Sequence, residues 1–257
     1  MHCQFELFMN NRQNPNTIFG IHPVKEALLS KSSIDRILVQ KELKSRIFKE
    51  FGDAWNPDHL IPVQKVPREA LNNITKENHQ GIVAYLSPIE YASIEAVTLA
   101  LFDAGKEPLI LMMDHITDVK NFGAIVRTAE SLGVDAIVIP TKGSAKINAE
   151  AIKSSSGAIF HIPICRYPNL IDATDLLMAL GLKVIAATEK GNLAIDYADL
   201  TGPVVLVMGS EEKGITKSIL KRSNLNTNIT TIGKTASLNV SVATGIILYE
   251  INRQRNK

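Results

Sequence analysis

The sequence predicts an α/β protein, with a parallel-sheet domain in its C-terminal part and a smaller α/β unit ahead of it. Three patterns carry that expectation. From Ile18 to about Pro88, short strand-like and helix-like segments alternate over about 70 residues. From 108 onward, five apolar runs alternate with stretches of helical periodicity, as successive βαβ units do. Some of those runs, VVLVM among them, are apolar at every position, which suits strands covered on both faces of a sheet.

The elements follow in order. Residues 1–16 are rich in Asn and Gln and close on Pro-Asn, so they read as a flexible tail. In the unit expected over 17–90, IDRILVQ (34–40), IPVQKV (61–66) and GIVAYL (81–86) read as strands. KELKSRIFKEF (41–51) and PREALNNITK (67–76) read as helices, the second opened by a proline whose fixed φ suits a first helical turn. The segment 87–108 holds one amphipathic helix and ends in Gly and Pro, which marks 91–106 as a linking helix. In the domain expected over 107–257, the strands are PLILMMD (108–114), DAIVIP (135–140), HIPICRY (161–167), KVIAAT (183–188) and PVVLVMG (203–209). Helical patterns lie between them, and LNVSVATGIILYEINRQR closes the chain as a long amphipathic helix.

Composition narrows the class. With 45% hydrophobic and 21% charged residues the chain can bury a substantial core as a soluble protein. A net charge of +2 neither demands nor excludes nucleic acid, because local patches rather than the sum decide binding. The two cysteines, Cys3 and Cys165, form no CxxC pair, which suits a reducing cytoplasm; Cys165, in an apolar run, reads as core. The start of the chain lacks a secretion signal, and no run approaches the roughly 18 apolar residues of a membrane span, so a cytoplasmic protein is expected. No Cys/His/Asp cluster has metal-ligand spacing, so no metal is expected.

Three segments end or follow strands, where open α/β sheets place ligands. In DHITDVKNFGAIVRTAESLG (114–133) a polar loop leads into a helix beginning near Asn121 or Phe122. Asn121 and Arg127 are six positions apart and are expected to face one cleft; a snorkelling Arg127 or a salt bridge to Glu130 explains the arginine equally well. VLVMGSEEKGIT (205–216) runs from a strand into a turn where Gly209 and Gly214 permit close backbone approach. ITTIGKTASLNVSVATGIILYE (229–250) is a polar loop with Gly233 and Lys234, then Ser237 as a candidate N-cap, then a helix whose free N–H groups suit an anionic ligand.

Taken in this order and spacing, NFGAIVRTA, VMGSEEKGI and SLNVSVATGIILYE resemble the three motifs of the SpoU family of RNA 2′-O-methyltransferases. Upstream, IFGIHPVKEALLS (18–30) and NHQGIVAYL (78–86) are similar to the substrate-binding domain of members that methylate guanosine in 23S ribosomal RNA. The resemblance implies a deep trefoil knot in the C-terminal domain, S-adenosylmethionine as methyl donor, RNA as partner and a homodimer joined knot to knot. It assigns the cofactor to Gly209, Ile229 and Leu238, with the backbone around Met208 and Ile232 nearby. It assigns catalysis and RNA placement to Asn121, Arg127, Glu211, Ser237 and Asn239. A guanidinium stays protonated, so Arg127 suits electrostatic activation of the ribose hydroxyl rather than proton abstraction. One departure is Thr230-Thr231, where the family usually has Pro-Met.

Two readings compete: the same chemistry on transfer RNA, and an RNA-binding assembly factor without catalysis. A dinucleotide-dependent oxidoreductase is excluded by the lack of G-x-G-x-x-G after the first strand of either half. His79 is expected in a turn or at the surface, and Lys25, Lys41, Lys44, Arg46 and Lys49 as a solvated face that also suits phosphate contacts.

Overall fold

The computed structural model describes residues 16–55, 61–233 and 237–255, so the predicted tail up to residue 15, with Cys3, and Lys234 lie outside the described residues. The chain divides into two compact units, 1–90 and Tyr91–Lys257.

In the first unit, strands β1 (Thr17–Phe19), β2 (Ile34–Gln40), β3 (Val63–Val66) and β4 (Ile82–Leu86) form one sheet in the order β1-β4-β2-β3. Helices α1 (Ile21–Leu29), α2 (Lys44–Phe51) and α3 (Arg68–Ile74) complete it. Alternation along β2 sends Ile37 and Val39 to one face, where Val24 and Leu28 of α1 and Ile47 and Phe51 of α2 are buried with them. Leu38 points the other way and packs with Val66, Leu71 and Val83 under α3. His79 is buried in the turn before β4. Its Nδ1 accepts the Gly81 N–H at 3.0 Å, so Nε2 carries the proton and donates to Asn72 Oδ1 at 2.8 Å. Burial, then the nearby Arg68 charge, hold its pKa below the ordinary 6.5, which keeps the ring neutral for that role.

The second unit begins with β5 (Tyr91–Ala92) and α4 (Ile94–Asp103). The stretch 91–106, expected as a linking helix, is thus part of this unit, with β5 pairing to β8 (Ile164–Tyr167). The other strands are β6 (Leu109–Asp114), β7 (Ala136–Pro140), β9 (Lys183–Ala187), β10 (Leu193–Ala194), β11 (Val204–Gly209) and β12 (Leu225–Asn228). The eight form one sheet, all parallel, in the order β10-β12-β9-β11-β6-β7-β8-β5. Two helix layers cover it, which explains why every residue of β6 is buried. On one face Ile110, Met112, Val205 and Val207 pack with α4, α7 (Leu170–Ala179) and α8 (Lys217–Arg222) through Ile94, Leu177 and Ile219. The opposite face, by alternation that of Leu111 and Leu206, carries α5 (Val119–Ser131), α6 (Ala149–Ser154) and α9 (Val240–Arg255). Cys165 is core, its thiol pushed up to about 12 by burial.

The far end of α9 is clamped to backbone carbonyls. Arg255 donates to Glu107 O at 3.1 Å, to Pro108 O at 3.2 Å and to Gly202 O, and Asn252 donates to Leu132 O at 2.6 Å. No helix among the described residues is long and apolar enough to cross a membrane.

Candidate active site

The centre of the large sheet is a switch point. From β6 the chain proceeds outward to β7 and β8, then returns on the other side, where β11 slots between β9 and β6. The loops after β6 and β11 therefore part company at neighbouring strand ends, where open α/β sheets form their ligand crevice.

Local chemistry shapes each loop. Asp118 caps α5, its carboxylate accepting the Asn121 N–H at 2.7 Å, so the helix starts at Val119 rather than at the predicted Asn121 or Phe122. Asn121 thus sits in the first turn. Gly123 is required one residue beyond Phe122: a Cβ there would stand 1.9 Å from Ser154 Oγ and 2.9 Å from Ser155 N, so only glycine lets α5 cross α6. After β11 the chain folds back on itself, Gly214 N–H donating to Ser210 O at 2.8 Å. A Cβ on Gly209 would lie 2.4 Å from Ile215 N, backbone that cannot yield cheaply. Asp114, buried at the end of β6, ties the two loops together. Its Oδ2 accepts the Thr216 N–H at 2.6 Å, and its Oδ1 bonds His115 Nδ1 at 2.5 Å.

Three chain segments then meet on one oxygen. Glu211 Oε1 accepts from Asn239 Nδ2 at 2.8 Å, from Asn121 Nδ2 at 3.2 Å and from the Val240 N–H at 3.2 Å. Asn239 Nδ2 also donates to Asn121 Oδ1 at 3.0 Å. Asn239 Oδ1 accepts the Ser241 N–H at 2.9 Å and its hydroxyl at 2.5 Å, so Asn239, not the predicted Ser237, caps α9.

Beside this cluster lies a cavity of about 660 Å³, lined by the ends of β9, β11 and β12, the loop into α9 and the first turns of that helix. Met208, Gly209, Glu211, Ile229, Ser237 and Leu238 all line it, which gathers most of the predicted site. Ile232 does not; its side chain is fully exposed. Sequence reasoning missed the far wall, formed by Thr188 to Lys190 and by Thr227 and Asn228. Thr188 N–H donates to Thr227 O at 2.9 Å and Asn228 Nδ2 to Gly191 O at 2.6 Å. The one sequence signal was Gly191 after an apolar run, and a Cβ there would lie 2.4 Å from the Thr227 carbonyl carbon.

Arg127 is not brought to the cluster. Six residues at about 100° each leave its side chain about 120° around α5 from Asn121. It is exposed, lies outside the cavity lining, and has no hydrogen bond or ion pair among the described residues, Glu130 included. Nor do any three His, Cys, Asp or Glu side chains among the described residues group to hold a metal ion.

Comparison with known proteins places this arrangement. Residues 108–249 match the SpoU rRNA Methylase family, and residues 17–92 match the RNA 2′-O ribose methyltransferase substrate binding family. The chain belongs to the SpoU family. A TrmH family tRNA/rRNA methyltransferase of Staphylococcus saprophyticus is 35% identical over 241 residues, 93% of this chain and 96% of the relative. Its counterpart in Staphylococcus epidermidis is 35% identical over 242 residues, with the same shares covered. Among solved SpoU-like structures, the AdoMet-bound rRNA methyltransferase of Sinorhizobium meliloti superposes with a TM-score of 0.59 at 25% identity, over 92% of this chain and 86% of that one. The TrmH/SpoU tRNA modifying enzyme of A. aeolicus gives a TM-score of 0.54 at 30% identity, over 63% of this chain and 85% of its own. This SpoU protein is an RNA methyltransferase, and the cluster and cavity both fall inside its SpoU domain.

Proposed function

We propose that this SpoU enzyme transfers a methyl group from S-adenosylmethionine to a ribose 2′-hydroxyl, and that its substrate is a guanosine of 23S ribosomal RNA. The observation that carries the reading is the Asn121–Glu211–Asn239 cluster standing at the edge of the cavity. The cavity suits the donor. Its volume of about 660 Å³ is that of a small-molecule site, Gly209 lets the turn through Gly214 and Ile215 fold close against the end of β11, and Met208, Leu238 and Ile247 supply an apolar wall beside polar groups. Bound there, S-adenosylmethionine supplies an electrophilic methyl on a sulfonium.

The chain's own residues do the rest. Asn121, Ser237 and Asn239 orient the ribose, and Glu211 holds the two amides in place. Arg127, exposed and turned away from the cluster, grips a phosphate of RNA laid over the exposed side of α5. The choice of ribosomal RNA is supported by the substrate-binding unit over 17–92: the A. aeolicus tRNA modifying enzyme aligns with only 63% of this chain. A threaded, knotted C-terminus is supported by where β12 and α9 lie: β12 sits beyond β9 in the sheet, yet α9, the next element, packs on α5, the helix that follows β6.

Titration calorimetry with S-adenosylmethionine tests the reading. The unmodified protein and Arg127→Ala are expected to bind it equally, while the variant loses RNA methylation by about 100-fold or more. No binding by the unmodified protein would remove the donor, and near-normal turnover by the variant would remove Arg127 from its role.

A further inference from the structure

We propose that α5, the loop between β7 and α6, and α6 together form a rail for the phosphate backbone of the RNA. The proposal rests on the RNA methyltransferase reading and extends it to lysines that reading does not use. β6 and β7 are adjacent and parallel, so the loops that follow them leave the same end of the sheet. The loop over 141–148 is tied to the one before α5. Ala145 N–H donates to Ile116 O at 2.8 Å, and Gly143 lies so close to the His115 ring that a Cβ would stand 2.8 Å from its Cδ2. α6 then crosses α5 at Gly123. These contacts make one continuous surface out of two loops and two helices.

Four lysines stand exposed on it: Lys120 on α5, Lys142 and Lys146 on the loop, and Lys153 on α6. None has an ion pair or hydrogen bond among the described residues, so all four ammonium groups are open to a ligand. The acidic groups on or beside these elements are Asp118, Glu130, Glu150 and Glu211; the Asp118 carboxylate caps α5 and Glu211 is engaged by Asn121, Asn239 and the Val240 N–H. Unpaired lysines on neighbouring elements repel one another, and a polyanion relieves that repulsion with release of its own counterions. Lys120 adjoins Asn121. RNA held along the rail therefore approaches the cluster from the β7 side of the sheet, opposite the cavity between β9, β11 and β12, and its ribose meets the donor where the two adjoin.

The test is the full chain carrying Lys142→Ala, Lys146→Ala and Lys153→Ala, probed with an unmodified 23S ribosomal RNA transcript and with unfractionated transfer RNA. RNA affinity should fall about 10-fold or more near physiological salt, and the plot of log affinity against log salt should become shallower by about 2. Melting temperature and S-adenosylmethionine affinity should not change. An unchanged RNA affinity and salt slope would overturn the rail. If the unmodified chain binds neither RNA, the methyltransferase reading beneath it is what fails.

Discussion

Glu211 gathers residues far apart in the sequence on one carboxylate oxygen. Its Oε1 takes up donors from Asn121 and from the adjacent Asn239 and Val240, so that with Glu211 itself three separate parts of the chain meet there. All three bonds are accepted by that one oxygen, which holds both amides and the start of α9 in register, and the role assigned to it here is positional. Glu211→Ala leaves both amides and a helix N–H without that acceptor; at about 1 kcal/mol per hydrogen bond, turnover should fall roughly 10-fold or more. Glu211→Gln retains an amide oxygen at the same place and should restore most of the rate, with the KM for RNA little changed. Equal defects in the two variants, read from steady-state kcat and KM, would show that charge rather than geometry is what counts. The membership of this cluster was legible as motif positions in the sequence. Its shared oxygen was not, because 90 residues separate Asn121 from Glu211 and no local pattern spans that gap. Arg127 is the reverse case: helical periodicity alone sets it about 120° from Asn121, so the expectation that both face one cleft fails on arithmetic.

At the scale of elements, the long apolar strands and the amphipathic helices were readable, and the misses have physical causes. β8 starts at Ile164 rather than His161, because a 3-10 turn over Ala158–Phe160 delays the chain's entry into the sheet. β12, sequence LNTN, has too few apolar residues to announce itself; it is a strand because β9 and β10 offer it backbone partners on both sides. α9 carries a message of its own. Its inner stripe, Ile247, Leu248 and Ile251, is buried, yet Val242, Ile246 and Tyr249 remain 51%, 40% and 64% exposed. With Thr128 and Gly245 they border an open groove of about 510 Å³ along α5 and α9. We propose that a second copy of the chain covers this face, as the family resemblance implies. Light scattering at micromolar concentration should give twice the 28.2 kDa chain mass, and a monomer there would refute the dimer.

Across the whole molecule, the two-part organisation and the parallel sheet follow from patterns a reader of the sequence can check: period-two and apolar runs, helical stripes, and Gly and Pro at the joins. Strand order is another matter. Nothing local says that β11 lies between β9 and β6, yet that placement brings the loops of two motifs side by side, and the packing of α9 on α5 brings the third. The site is thus a product of topology acting on residues that, taken singly, are ordinary caps and turns.

The position of the transferred methyl group tests the proposed chemistry most directly. Purified protein, S-adenosylmethionine and an unmodified 23S ribosomal RNA transcript should yield, after complete nuclease digestion and mass spectrometry, a single 2′-O-methylguanosine. A methyl group found on a base, or no methylated nucleoside from either ribosomal or transfer RNA, would contradict it.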